Sequence, residues 1–487
     1  MADATRREIA ALLLSVFLIM FGGGFLSTFV SLRLSAAGVP SALIGAVGTA
    51  FFGALSLGSR RITPVIRRVG HIRAFATFAS IFSISTLVYG VYIATVPWIA
   101  LRCVNGAMMS GVLICIESWL NERATLANRG WLLAIYVALT YAGEGLGQML
   151  LLTGSQDRFL PFVVASIALS LAIVPVALIP GSGPLPADHP HVRLRRLIRL
   201  SPLGVLGTGG NGLVMGAFYA LTAVYLHAIG LSHFRVALFM AVVILGGSLI
   251  QWFVGYMSDR CDRREVIVWT SFAAALLAVV LPLVHHEASA FYLLAAGFGG
   301  AVFALYPLCV AHTNDRLSSE ERVGASSALV FCYSLGAAIG PVLAGGAMTL
   351  FGPAVLFAFF AICSTIVGIF GLWRQRRRDA VPASEQGPYQ NMPHATVMPE
   401  RMGVGSGRDD DGSHSETSPP EGRCCEPARQ FPCASHEPDG SSGCDAAALP
   451  ASRSALFIAS PGHQYPYAPH VCVKSPSTFN RRRNAME

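Results

Sequence analysis

Apolar runs of about twenty residues recur from Ile9 to Trp373, divided by short polar segments, and each is long enough to cross a bilayer once as an α-helix. Twelve are read, at approximately 9–34, 41–59, 72–95, 98–120, 130–153, 159–179, 202–228, 234–256, 266–284, 290–312, 324–348 and 353–373. Only Met1 to Glu8 precede the first, which is too long for a signal-peptide core and is expected to be retained. The connections stay short until Pro180 to Pro202, where a Pro- and Gly-rich stretch passes into the basic string Val192-Arg-Leu-Arg-Arg-Leu-Ile-Arg199. That shift falls after six spans and before six more. The expected organisation is a six-helix bundle over 1–180, a linker over 181–201 and a second bundle over 202–378. Beyond, Pro, Gly, Ser, Asp and Arg replace the aliphatic runs. Residues 379–487 cannot bury enough apolar surface to offset ordering entropy and are expected to be a disordered tail.

Composition sharpens this picture. A mean hydropathy of +0.55, with 53% hydrophobic and 13% charged residues, excludes an ordinary soluble enzyme. The net charge of +8 is spread over alternate loops, with Arg60, Arg61, Arg67, Arg68, Arg123, Arg129, Arg263, Arg264, Arg316 and Arg374 on one side, against Arg33, Arg158 and Arg235 on the other. The positive-inside bias therefore places both termini in the cytoplasm, and nucleic acid is not an expected partner. Of eleven cysteines, six lie in or beside spans and five in the tail, without a disulfide framework or metal-ligand spacing. No lysine-containing phosphate loop and no catalytic nucleophile constellation is present, so neither ATP hydrolysis nor a cofactor is expected, and the driving energy must be a gradient.

Between the eighth and ninth runs lies Gly255-Tyr-Met-Ser-Asp259-Arg260-Cys-Asp262-Arg263-Arg264, a basic hairpin too short to cross anything itself. Its pattern, Gly-x-x-x-Asp-Arg-x-x-Arg-Arg, resembles the cytoplasmic signature loop of the major facilitator superfamily of secondary transporters. The first-half counterpart, Gly58 to Arg73, keeps the basic character but has Ile62 where the acidic residue would stand. Arg102 followed by Gly106 resembles the fourth-helix pattern of that family, and Gly336-Ala-Ala-Ile-Gly340-Pro341-Val-Leu-Ala-Gly345 a packing and hinge element. The strings Glu117-Ser-Trp119-Leu-Asn121 and Gly70-His71-Ile-Arg73-Ala74 resemble its bacterial YcaD-like branch. The resemblance implies twelve transmembrane helices in two bundles around a central cavity, in a bacterial inner membrane, with a gating role for Gly255, Asp259, Arg260, Arg263 and Arg264.

Two intramembrane charges carry the candidate chemistry. Glu144 lies near mid-depth of the fifth span, where a charge needs a partner, water or a proton. It shares a helical face with Thr140, Tyr141 and Gln148. A proton acceptor and a static polar contact are both compatible with that position. Arg102 begins about four residues inside the fourth span; the resemblance implies a cavity-facing role in coupling, while its shallow depth also allows snorkelling to the interface. Asn105 beside it, the seventh-span face of Asn211, Met215 and Tyr219, and Gln251 in the eighth are read as cavity lining, with helix packing as the alternative. Glu117 is expected near the inner end of its span. The resulting expectation is a monomeric secondary transporter for a small molecule, coupled to protons, with the lipid bilayer as surroundings. The alternatives are a multidrug or metabolite efflux antiporter and a receptor or scaffold acting through the tail.

Overall fold

The computed structural model describes residues 2–91, 93–125, 128–155, 159–179, 194–377, 386, 387 and 389, with no β-strand among them. The first half holds α1 (Ala2–Gly24), α2 (Leu26–Ala36), α3 (Ser41–Val69), α4 (His71–Val91), α5 (Thr95–Arg123), α6 (Arg129–Gly147) with a 3-10 extension Gln148–Ser155, α7 (Leu160–Leu171) and α8 (Ile173–Ala177). A short α9 (Leu194–Leu200) follows. The second half holds α10 (Pro202–Ala228), α11 (His233–Ser258), α12 (Arg263–Val280), α13 (Ser289–Asn314), α14 (Ser319–Phe351) and α15 (Val355–Gln375).

Among the described residues, eleven stretches of helix are long and apolar enough to cross a membrane. The seventh expected span is α10, whose Thr208, Asn211, Tyr219, Thr222, Tyr225 and His227 dilute its hydropathy although most of it is buried. An all-α polytopic membrane protein results. One boundary differs from expectation: the second span continues as helix to Val69, so much of the basic segment read as a loop is helical, and the turn falls at Gly70 with φ 87°. Glycine adopts that left-handed backbone without a Cβ clash. Of the tail, only Gln386, Gly387 and Tyr389 are among the described residues; the remainder of 379–487 lies outside them, as do residues 180–193 of the linker region.

Within the first half α3 and α4 pack on α5, and α1 packs on α6 and α7. In the second, α10 packs on α13, α14 and α15, α11 on α13, and α12 on α15. The halves meet where α3 runs along α14, α2 along α10, and α6 with its extension along α11. The α3–α14 seam combines close backbone approach at glycines with threonine hydroxyls bonded to main chain. Thr49 Oγ1 donates to the Ala338 carbonyl at 2.5 Å, and the Ala42 amide donates to Thr349 Oγ1 at 3.0 Å. A Cβ at Gly45 would collide with the Pro341 carbonyl, and one at Gly345 with the Ser41 carbonyl. Such close approach lets main-chain dipoles meet in a setting where lipid offers no hydrophobic drive for helix association. Gly45→Ala is accordingly expected to force the helices apart and cost about 1–3 kcal/mol. A lower thermal unfolding midpoint in detergent checks this; an unchanged midpoint shows that the seam yields without loss.

Candidate functional site

Three consecutive glycines, Gly22 to Gly24, end α1 at mid-span, and α2 resumes at Leu26. A broken transmembrane helix frees carbonyls that must be met from inside the protein. Gln148 does so, its Nε2 lying 3.4 Å from both the Gly24 and the Glu144 carbonyls. Gly24 also makes room for Glu144: a Cβ there would come within 2.8 Å of the Glu144 Cγ. The carboxylate so admitted accepts a hydrogen bond from the Tyr219 hydroxyl on α10. A side chain of α6 is thus joined to one of the opposite half.

Aromatic rings from both halves surround this pair. Tyr141 sits 5.4 Å from Phe303, Tyr219 lies 6.5 Å from Phe52, and Tyr306 lies 5.0 Å from Tyr333, which is within electrostatic reach of Glu144. Tyr306 and Tyr333 were not singled out in the sequence. Nothing local marks them, since Tyr292 shares the run of Tyr306, and Ser326, Ser327 and Ser334 share that of Tyr333.

Arg102 is 2% exposed, which rules out snorkelling. Its guanidinium donates to Ser27 Oγ and to Tyr89, and lies 4.3 Å from the centre of the Phe51 ring. No ion pair joins it to Glu144. Both nevertheless bear on the first span, Glu144 at Gly24 and Arg102 three residues on at Ser27. Asn105 belongs to the Arg102 network: its Oδ1 accepts from the Tyr89 hydroxyl at 2.6 Å and its Nδ2 donates to Ser85 at 2.7 Å. Its amide is therefore engaged within the first half.

The remaining candidates separate along the molecule. Asn211 is 2% exposed with both ends of its amide lacking a hydrogen-bond partner, and Met215 is fully buried one turn on. Gln251 is fully buried on α11 and faces the signature-loop end rather than the Glu144 cage, since it meets Tyr389. Glu117, expected near the interface, is 1% exposed and accepts from the Tyr136 hydroxyl at 3.0 Å. Counting residues from the helix end measured its depth but not the cover given by α6.

The signature loop is a compact ion network. Arg263, 1% exposed, donates through Nη1 to both Asp315 oxygens at 2.7 Å, through Nε to Ser258 at 2.9 Å, and through Nη2 to Asp259 at 3.2 Å. Burial raises the Asp315 carboxyl above the ordinary aspartate range, with Arg263 working against that rise. Arg260 lies over the Tyr256 ring at 3.5 Å. Asp262 caps α12 by accepting the Arg264 amide at 3.0 Å and pairs with the Arg264 guanidinium at 2.7 Å. Partial burial of Asp262 acts upward, yet these bonds from Arg264 hold its carboxyl below the usual value. A lowered folded-state pKa contributes stability that is complete above the unfolded value of about 3.9 and is lost as pH falls through the lowered one. Asp262→Ala is expected to cost about 1 kcal/mol above pH 4 and progressively less below it. Thermal unfolding across that range checks both parts, and a pH-independent loss would contradict the charge account.

The family model described as Major Facilitator Superfamily matches residues 12–304 and 204–421. A relative from Escherichia fergusonii, described as an uncharacterized MFS-type transporter YcaD, is 28% identical over 380 residues, covering 78% of this chain and 98% of the relative. One from Salmonella arizonae with the same description is 28% identical over 362 residues, covering 74% and 94%. Among solved structures, the nucleoside transporter NupG aligns with a TM-score of 0.61 at 13% identity, covering 76% of this chain and all of that one. A bacterial homolog of the human lysosomal transporter Spinster, in an inward-facing and occupied conformation, aligns with 0.60 at 14%, covering 78% and 97%. At such identities the structural likeness concerns the fold.

Proposed function

Since the chain belongs to the major facilitator superfamily and is a multi-pass membrane transporter, we propose that it moves a small organic solute by alternating access, with proton coupling at Glu144. The moving bodies are the bundles 1–180 and 202–378, joined by 181–201, in a bacterial inner membrane with both termini cytoplasmic. The observation that carries the reading is the Glu144–Tyr219 hydrogen bond, which ties α6 to α10. An ionised carboxylate accepts a bond roughly twice as strong as a neutral one does. Proton uptake therefore loosens a link between the bundles, and proton release restores it. Arg102 acts on the same place through Ser27, three residues from the Gly24 that seats Glu144.

This coupling is testable without knowing the solute. Spin labels at Glu122 and Ser318, exposed positions at the termini-side ends of the two halves, report the opening between them. The distance distribution is expected to shift as pH is stepped from about 5 to about 8. A distribution indifferent to pH would refute proton coupling.

One observation favours the efflux reading as a second. An acidic group ringed by Tyr141, Tyr219, Phe303 and Phe52 has the chemistry of a site for an organic cation, whose charge is attracted by carboxylate and ring faces alike. In such an antiporter, cation and proton compete for Glu144. Uptake of hydrophobic cations into acid-loaded vesicles, in exchange for protons leaving, supports it, and exclusion of every cation tried sets it aside.

A further inference from the structure

Past the last span, two tail residues are seated against the signature loop. The Gly387 amide donates to Asp315 Oδ1 at 3.1 Å and its carbonyl accepts from Arg263 Nη2 at 2.8 Å. The Tyr389 amide donates to Asp259 Oδ1 at 2.7 Å. Every one of these bonds uses the main chain of the tail and an ionised side chain of the loop or of the α13 end. Recognition is therefore of main-chain groups, and bonds to charged groups are the stronger class.

The Tyr389 ring adds side-chain specificity. It lies on the bare backbone of Gly255, where a Cβ would overlap it, and packs against the apolar cluster that includes Val266, Ile267 and Leu305. Its hydroxyl oxygen is enclosed and meets the side chain of Gln251, which is itself fully buried. Gly255 opens the signature motif, so the smallness required there also forms the floor of this seat.

We propose that the cleft bounded by the end of α11, the signature loop and the end of α13 is a binding site for the chain's own segment around Gly387 and Tyr389, which clamps the loop when seated. Arg263 then holds four things at once: Ser258 at the α11 end, Asp259, Asp315 after α13, and Gly387. Displacing α11 from α13 requires that segment to yield or to travel with them. The docking holds whatever the solute and whether or not protons drive its movement.

Hydrogen exchange of the full chain in lipid nanodiscs tests it. Tyr389→Ala is expected to speed amide exchange over 255–265 by about tenfold or more, because without the ring seated on Gly255 the segment and its main-chain bonds are released, while Tyr389→Phe keeps the ring and exchanges as the parent does. Gly387→Pro, which removes the amide that Asp315 receives, is expected to act like Tyr389→Ala. A synthetic peptide of residues 384–392 added to Tyr389→Ala should restore protection in proportion to its concentration. Unchanged exchange in both Tyr389→Ala and Gly387→Pro overturns the proposal. So does equal deprotection by Tyr389→Phe and Tyr389→Ala with no rescue by the peptide.

Discussion

Glu144→Gln is expected to reduce proton-driven flux by about 100-fold or more while solute binding persists, because glutamine keeps the size and the acceptor oxygen but cannot exchange a proton. The oxygen of the amide still receives the Tyr219 hydroxyl, so the link between α6 and α10 survives in a form that pH no longer adjusts. The check has two arms in reconstituted vesicles. Flux of a solute found by ligand-induced thermal stabilisation is measured with and without an imposed pH gradient, and binding of the same solute is measured at fixed pH. Retained gradient-driven flux in the variant would remove Glu144 from coupling. Lost binding together with lost flux would make it a solute ligand instead. Tyr219→Phe separates the link from the proton: it keeps Glu144 titratable and removes the donor, so the opening should respond less steeply to pH.

Arg263→Ala is expected to produce the largest loss of stability, about 3–5 kcal/mol, because it strands the Asp315 carboxylate, whose side chain is 4% exposed. In a protein of this size that corresponds to a fall of roughly 5 °C in unfolding midpoint. Lysine is not an adequate replacement, since three separate nitrogens of the planar guanidinium are in use, Nη1 on Asp315, Nε on Ser258 and Nη2 on Asp259 and Gly387, where an ammonium offers one. The double variant Arg263→Ala with Asp315→Ala should recover part of the loss, because neither charge is then buried alone. Strict additivity of the two single losses would show that the pair is not coupled.

The spans, their number and the special loop were legible because each rests on a local property: apolar length, charge placement or a short motif. Glu144 was legible for the same reason, as an acid at mid-depth of an apolar run. Its partner was visible only as one member of a polar face on the seventh span, since nothing local to Tyr219 says that it meets a helix seventy-five positions earlier. The interfacial placement of Glu117 and the snorkelling alternative for Arg102 rest on one shared argument. Depth counted from a helix end gives distance to the interface and ignores lateral cover, and both proved almost fully buried. The Gly387–Tyr389 contact was invisible because composition measures side chains, whereas most of that recognition runs through main-chain amides and a carbonyl.

The seam where Gly45 abuts Pro341 and Gly345 abuts Ser41 has an evolutionary reading. Main chain touching main chain is indifferent to the identity of Tyr141, Phe303 and Phe52, so under the proposed alternating access those rings can change with the solute while the joint keeps its shape. One added methyl at the joint, by contrast, burdens every cargo equally. Selection for new solutes should therefore leave those glycines in place and spend its changes on the aromatic wall.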